Sequence, residues 1–231
     1  MDYKLDDLNF SNKTLAQQVY EKMRMMILRQ YLTPGERIDQ NNLAEQLEVS
    51  LGPVREALKT LETEGLVKII PRRGAFVTEV SPDHLSDLYL ARQLIEGEAA
   101  FHALEQFTDE DIEHLCHLNQ GMRRATEQKN IYQFMQLNRE FHMTIYRRAG
   151  SQHLLAVLSQ LWDRSEIYRY RYAYVLKNAE NAHKDHESII SACEQRNSAQ
   201  IKQLIIAHIQ HTLVGLHKVI ADQLESSDSS D

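Results

Sequence analysis

From residue 83 to residue 223 of this 231-residue chain, apolar side chains recur at helical spacing, with no alternating run that reads as a strand. Short polar breaks divide the stretch into six amphipathic helices, expected near 83–105, 109–128, 131–148, 151–176, 179–195 and 198–223. Each has one apolar face to bury, and six such faces close into a helical bundle. Two of the starts carry capping signals: Thr108 precedes Asp109-Glu110-Asp111, and Ser198 opens the last helix. Eight glycines and four prolines leave few points at which helices must stop. The tail after residue 223 ends in Ser-Ser-Asp-Ser-Ser-Asp, and 224–231 is expected to be disordered.

Ser81-Pro82 breaks the chain, and the segment before it has a different pattern. Asn12 or Thr14 can cap a first helix with Leu15, Val19, Met23, Met26 and Ile27 on its apolar face. Thr33-Pro34-Gly35 is a turn, and a short helix around Asn41 to Leu47 follows it. A third helix starts at Ser50 as N-cap, with Pro53 in the first turn, where its missing N–H is not needed. Val54, Ala57, Leu58 and Leu61 form its buried stripe, which leaves Arg55 and Lys59 together on the outer face. After Gly65, two β-rich runs flank Pro71-Arg72-Arg73-Gly74, a hairpin with a basic tip. Three helices and a basic hairpin make a winged helix-turn-helix. The fold class is therefore mainly α, with a winged helix-turn-helix domain over 1–80 and an all-helical domain over 81–231.

The net charge of −7 argues against a nucleic-acid partner until its distribution is read. Between Lys13 and Thr78 ten basic residues face eight acidic ones, whereas from Glu79 onward fifteen face twenty-two. The excess positive charge lies with the helix-turn-helix. No apolar run reads as long enough to cross a bilayer, and the first ten residues lack the basic start and apolar stretch of a secretory signal. Cys116 and Cys193 fall in expected helices and need not pair. A cytoplasmic protein without a membrane partner is expected.

The segment from Leu32 to Val80 resembles the GntR family of bacterial transcription regulators. The resemblance rests on Leu32-Thr33-Pro34-Gly35, Leu43-Ala44-Glu45, Val49-Ser50, Pro53-Val54-Arg55-Glu56-Ala57-Leu58, Glu64-Gly65-Leu66 and Arg73-Gly74. It implies a homodimer that presents two recognition helices to successive major grooves of a near-palindromic operator, more often as a repressor than as an activator. Ser50, Leu51, Gly52, Arg55, Lys59, Arg72, Arg73 and Gly74 are then the residues expected at DNA. One departure stands out: Ser50-Leu51-Gly52-Pro53 replaces the commoner Ser-Arg-Thr-Pro, so an arginine that often reads bases is Leu51 here. Leu51 is suited to a thymine methyl or to filling space beside the groove.

In the helical domain, three apolar stripes each carry a histidine: His142 with Phe134, Phe141 and Ile145; His186 with Ile189, Ile190 and Cys193; and His208 with Ile201, Leu204 and Ile205. A single histidine so placed is usually a core residue; three on three helices suggest convergence. The domain is similar to the FCD branch of the same family, which carries an Asp-x-x-x-His pair on one helix and two more histidines on later helices, all on one metal ion. That resemblance implies Asn138, His142, His186 and His208 as ligands of a divalent metal, zinc first and nickel or manganese next. Asn138 stands where aspartate is commoner. His183 and His211 read as surface residues. Arg92 falls on an apolar stripe and needs an anion, either Glu96 one turn on or an acidic effector. Arg164, Tyr168 and Tyr172 fall on the inward side of the fourth helix of this domain, and the two tyrosines are candidates for contact with a small carboxylate effector.

The expected function is a one-component regulator in which such an effector occupies the metal chamber and alters the spacing of two DNA-reading heads. Two alternatives remain from sequence. One is a purely structural metal with a protein partner as the signal. The other is a metal-dependent hydrolase, for which no carboxylate or histidine stands out as a placed general base.

Overall fold

Thr14 starts the first helix with a reciprocal cap: its hydroxyl accepts from the Gln17 N–H and the Gln17 side chain accepts from the Thr14 N–H. This helix, α1 (Leu15–Leu28), buries Val19, Met23, Met26 and Ile27 against α3 (Leu51–Thr63), which answers with Val54, Ala57, Leu58 and Leu61. Leu15, expected on the packed stripe, is 48% exposed, because it occupies the first helical position, one turn before the packed face begins. Between the two helices lie the strand β1 (Arg37–Ile38) and α2 (Gln40–Gln46), the latter capped by the Asp39 carboxylate on the N–H groups of Asn41 and Asn42.

In this computed structural model residues 13–29, 31–79, 81–174 and 179–228 are described, and the chain divides into two units, Met1–Val80 and Ser81–Asp231. The first unit ends in a hairpin of β2 (Val67–Ile70) and β3 (Gly74–Val77), as the patterning expects. The structure adds β1 to it, giving an antiparallel sheet in the order β1-β3-β2, with Arg37 opposite Phe76 and Ile38 opposite Ala75. Two residues are too short a strand to show a period of two, so this pairing has no sequence signature.

Six helices build the second unit: α4 (Pro82–Ala103), α5 (Asp109–Glu127), α6 (Ile131–Arg147), α7 (Gln152–Tyr174), α8 (Ala179–Glu194) and α9 (Ser198–Asp228). A short 3-10 turn, Leu104–Gln106, follows α4. Thr108 caps α5 as expected, with Asp111 returning the bond. Asn197, rather than Ser198, caps α9 by accepting from the Gln200 N–H, and Ser198 is the first helical residue. The expected disorder of 224–231 is corrected over 224–228, because α9 continues through Asp228, while 229–231 lie outside the described residues. Extending an existing helix carries no nucleation cost, so a polar sequence can follow an apolar one.

Ser198–Ala221, with mean hydropathy 1.3, is long and apolar enough by composition to cross a bilayer, which the sequence reading did not expect. Its side chains Ile201, Ile205, Ile209, Leu216 and Ile220 are buried within the unit instead. Packing is closest against α4 at Gly97, where a Cβ would stand 3.0 Å from Ile206.

Candidate functional site

Two places gather functional chemistry, one in each unit. In the first, α3 begins at Leu51 with Ser50 in the N-cap position, exposed, its backbone extended and its hydroxyl making no capping bond. The free N–H groups of that first turn and an uncommitted hydroxyl together suit a phosphate oxygen. Gly52 is exposed and Leu51 partly so. Arg55 and Lys59 project from the exposed face one turn apart, opposite a stripe in which Val54 and Leu61 are fully buried. Glu62, the conceivable partner of Arg55, is engaged elsewhere: its Oε1 accepts from the Ile69 N–H at 2.9 Å and ties the helix to the hairpin.

At the hairpin tip Ile70 pairs directly with Gly74, leaving a three-residue turn that carries Arg72 and Arg73, both exposed. Gly74 has φ +107°, which side chains rarely adopt, and the Arg37 guanidinium lies 3.3 Å from where its Cβ would be. Arg37 therefore joins the basic tip, brought there by the strand that sequence reading missed.

In the second unit, His142 of α6, His186 of α8 and His208 of α9 converge, with ring centroids 4.9 to 5.4 Å apart and one nitrogen from each within 4.8 Å of the others. All three are buried. Hydrogen bonds fix which nitrogen of two rings is free. The Tyr146 hydroxyl donates its one proton to Glu96 Oε2 at 2.6 Å, so at His142 Nδ1, 3.3 Å away, it acts as acceptor. His142 Nδ1 thus carries the proton, and the lone pair sits on Nε2, which is buried without a partner. His208 Nδ1 likewise faces Asp185 Oδ2 at 3.1 Å, which leaves its Nε2 lone pair free. Neither nitrogen of His186 has a partner. Burial, and then the other histidines of the cluster, push His142 and His186 well below the ordinary histidine range, so both are neutral near pH 7.

Neutral imidazoles with unpartnered, inward lone pairs are what a borderline divalent ion requires, and a carboxylate behind a ligating ring is its usual support. The three rings fit such an ion. Asn138 is buried one turn before His142 on the same helix.

Two family descriptions match the chain: "Bacterial regulatory proteins, gntR family" over residues 15–77 and "FCD domain" over 87–211. The chain belongs to the GntR family of regulators, with an FCD domain. Three relatives span most of its length. YdhC of Bacillus subtilis, an HTH-type transcriptional regulator, is 26% identical over 96% of this chain and all of its own. McbR of Escherichia coli, also an HTH-type transcriptional regulator, is 32% identical over 65% of this chain and 68% of its own. RspR of the same organism, an HTH-type transcriptional repressor, is 27% identical over 84% and 85%. The solved structure of E. coli McbR/YncC superposes with a TM-score of 0.76 over 89% of this chain and 98% of that one, at 26% identity. A member of this family is a DNA-binding transcription regulator and not an enzyme, which removes the hydrolase alternative.

Within this GntR regulator several side chains lie elsewhere than the sequence suggested. Arg92 is 3% exposed and its Nε meets Glu96 Oε1 at 2.6 Å, between the rings of Tyr89 and Trp162 at 4.8 and 4.7 Å. Glu96, one of the two partners left open for it, is in ion-pair contact with it. His183, expected at the surface, is 2% exposed, with Thr126 Oγ1 3.3 Å from its Nε2. His211 is exposed but shares the Asp185 carboxylate with His208, at 2.9 Å. Burial raises the Asp185 pKa and the bonds from these two histidines lower it further, so the net shift is downward and the group stays an anion. Arg164, expected on the inward side, is exposed; the inward arginine of α7 is Arg169, whose guanidinium stacks 3.9 Å over the Trp162 ring. Tyr168 is buried, as expected, while the Tyr172 side chain lies outside the described residues. Asp185, Tyr146 and Arg169 were not singled out from sequence. Asp185 adjoins His186, and Tyr146 follows His142 by one turn, a signal that was available.

Proposed function

We propose that this regulator is a cytoplasmic repressor that binds a near-palindromic operator as a homodimer, and that a small carboxylate held at a divalent metal ion controls its affinity. The reading head is the α3 N-terminus with Ser50, Leu51, Gly52, Arg55 and Lys59, together with the hairpin tip of Arg72, Arg73 and Gly74. Backbone N–H groups and arginines of this kind set the register on phosphates, and the exposure of Arg55 on α3 supports a contact with a base edge or phosphate. Repression follows the habit that the name of the relative RspR records. No membrane partner enters the proposal.

The observation that carries the regulatory half is the convergence of three buried imidazoles from three helices, two of which, His142 and His186, are neutral and keep unpartnered ring nitrogens. Three unsatisfied ring nitrogens in one core are expensive to maintain without a ligand. His142, His186 and His208 would hold the ion, with Asn138 as a fourth, weaker donor. Zinc is the first choice, ahead of nickel and manganese, for an imidazole set. The ion supplies a positive, coordinatively open centre for a carboxylate oxygen. Arg92 serves this site from behind: through Glu96 and Tyr146 it holds the His142 ring in the tautomer that offers Nε2. Tyr168 and Tyr172 remain the proposed effector contacts from α7.

The test is elemental analysis of protein purified without a histidine tag, followed by melting and operator gel shift with and without chelator. The expected result is about one divalent ion per chain and a lower melting temperature after chelation. A metal-free protein whose melting temperature is unmoved by added zinc, nickel or manganese overturns the metal assignment.

A further inference from the structure

Behind the three histidines lies a second buried positive charge, that of Arg169, with no acid in ion-pair contact among the described residues. Arg169 is 6% exposed, and what acts on its guanidinium among the described residues is burial and the charges of Arg92, Tyr89, Glu96 and Arg139, with no hydrogen bond among them. The buried carboxylate Glu96 is already engaged: Oε1 takes Arg92 Nε, and Oε2 takes the Tyr146 hydroxyl at 2.6 Å and Arg92 Nη2 at 3.4 Å. The two acids nearest on its own helix, Asp163 and Glu166, lie 2.5 and 3.7 Å from Arg139. Burial, and then the like charge of Arg92, push the Arg169 pKa down to about 9, so it is still a cation near neutral pH.

Trp162 is the shared wall. Its ring lies 5.1 Å from the His142 ring on one side and carries Arg169 at 3.9 Å, and its Nε1–H is a buried donor without a partner. The Arg169 charge also reaches the histidines, contributing to the low pKa of both His142 and His186. A buried guanidinium without an anion is costly, and a fold keeps one where a ligand brings the anion.

We infer that Arg169 and the Trp162 indole N–H form a second anion pole of the chamber, so that the effector is a small acid with two anionic groups, one for the metal ion and one for Arg169. This rests on the effector reading given above and specifies the ligand class. Arg92, bound to Glu96, contributes field but not the contact.

Trp162 is the only tryptophan of the chain, so its fluorescence reports on this pole directly. Zinc-loaded protein is titrated with malonate, succinate and glutarate and with the monocarboxylates propionate, butyrate and valerate, and zinc content is measured after each titration. The best dicarboxylate is expected to bind at least about tenfold more tightly than its one-acid counterpart, as one extra charge-assisted contact implies, and to change the Trp162 emission. Arg169→Gln should abolish that preference, leave zinc bound at least as tightly and raise the melting temperature of the ligand-free protein, whereas a structural arginine would lower it. Arg169→Lys should recover part of the preference. Equal binding of mono- and dicarboxylates, or a preference that survives Arg169→Gln, overturns the second pole while leaving the metal reading intact. Anion binding that is the same after chelation overturns the metal reading on which it stands.

Discussion

Arg55 and Arg92 show how differently one residue type behaves on two helices. Arg55 is exposed on α3 with no acid holding it among the described residues, so its charge is available to a partner. Arg55→Ala should weaken operator binding by about 1 kcal/mol or more, roughly the loss of one base or phosphate contact, with an unchanged circular dichroism spectrum. A gel-shift titration at fixed salt measures it, and equal affinity would remove Arg55 from the reading head. Arg92 is enclosed with Glu96 between two aromatic rings. Burial opposes its charge and Glu96 more than restores it, so its pKa is raised. Arg92→Ala strands a carboxylate that has 0% of its side chain exposed, and should destabilise the second unit by about 3–5 kcal/mol in a denaturant melt. A loss below about 1 kcal/mol would show that water or another side chain replaces Arg92 at the Glu96 carboxylate.

At the scale of the element, helix starts were easier to read than helix ends. Thr14 and Thr108 are sequence-visible caps, and both work as caps in the structure. Gly65 is a visible stop: it takes φ +76° and its N–H and that of Leu66 return to the carbonyls of Glu62 and Leu61. The same double bond ends α2, α5 and α8, but with Glu48, Lys129 and Arg196 in the left-handed position, where sequence gives no warning. An L side chain at that φ is strained, so Glu48→Gly should raise stability by about 0.5–1 kcal/mol. Chemical denaturation checks this, and a loss of stability would mean that the Glu48 side chain makes a compensating interaction. The helical periods of α4 to α9 were legible because one-sided burial over 16 or more residues leaves a strong pattern. Two-residue β1 leaves none, and Arg37 was missed with it.

For the whole molecule, acidity and association are the measurable properties. His142 and His186 have folded pKa values below that of an unfolded histidine, about 6.5. Above that pH neither state is protonated and nothing is lost. As pH falls through about 6.5 the unfolded chain gains protons that the folded one refuses, so stability declines with acidification. Metal-free protein in chelator should therefore hold its melting temperature from pH 8 to 7 and lose it progressively below about 6.5. A flat profile to pH 5 would indicate that the histidines are hydrated or already paired. The proposed homodimer should scatter light with twice the chain mass and protect two half-sites about one helical turn apart, since one small head offers little specificity by itself. A monomer on and off DNA at micromolar concentration would exclude it.

Sequence alone determined the two-part organisation, the six-helix period and the three histidines, because each is written as a local repeat or a residue type on a known face. The resemblance of Leu32 to Val80 added the family, which the comparisons then established. Only the tertiary structure decided who holds whom. Glu96 took Arg92, Asp185 took both His208 and His211, and Tyr146 set the tautomer of His142, while Arg169 has no acid in ion-pair contact among the described residues. Helical spacing fixes the direction of a side chain to within one face. The partner it meets there is either one turn away, as for Arg92 and Glu96, or on another helix, as for Tyr146 with Glu96 and Asp185 with His208, and that choice depends on packing the whole bundle.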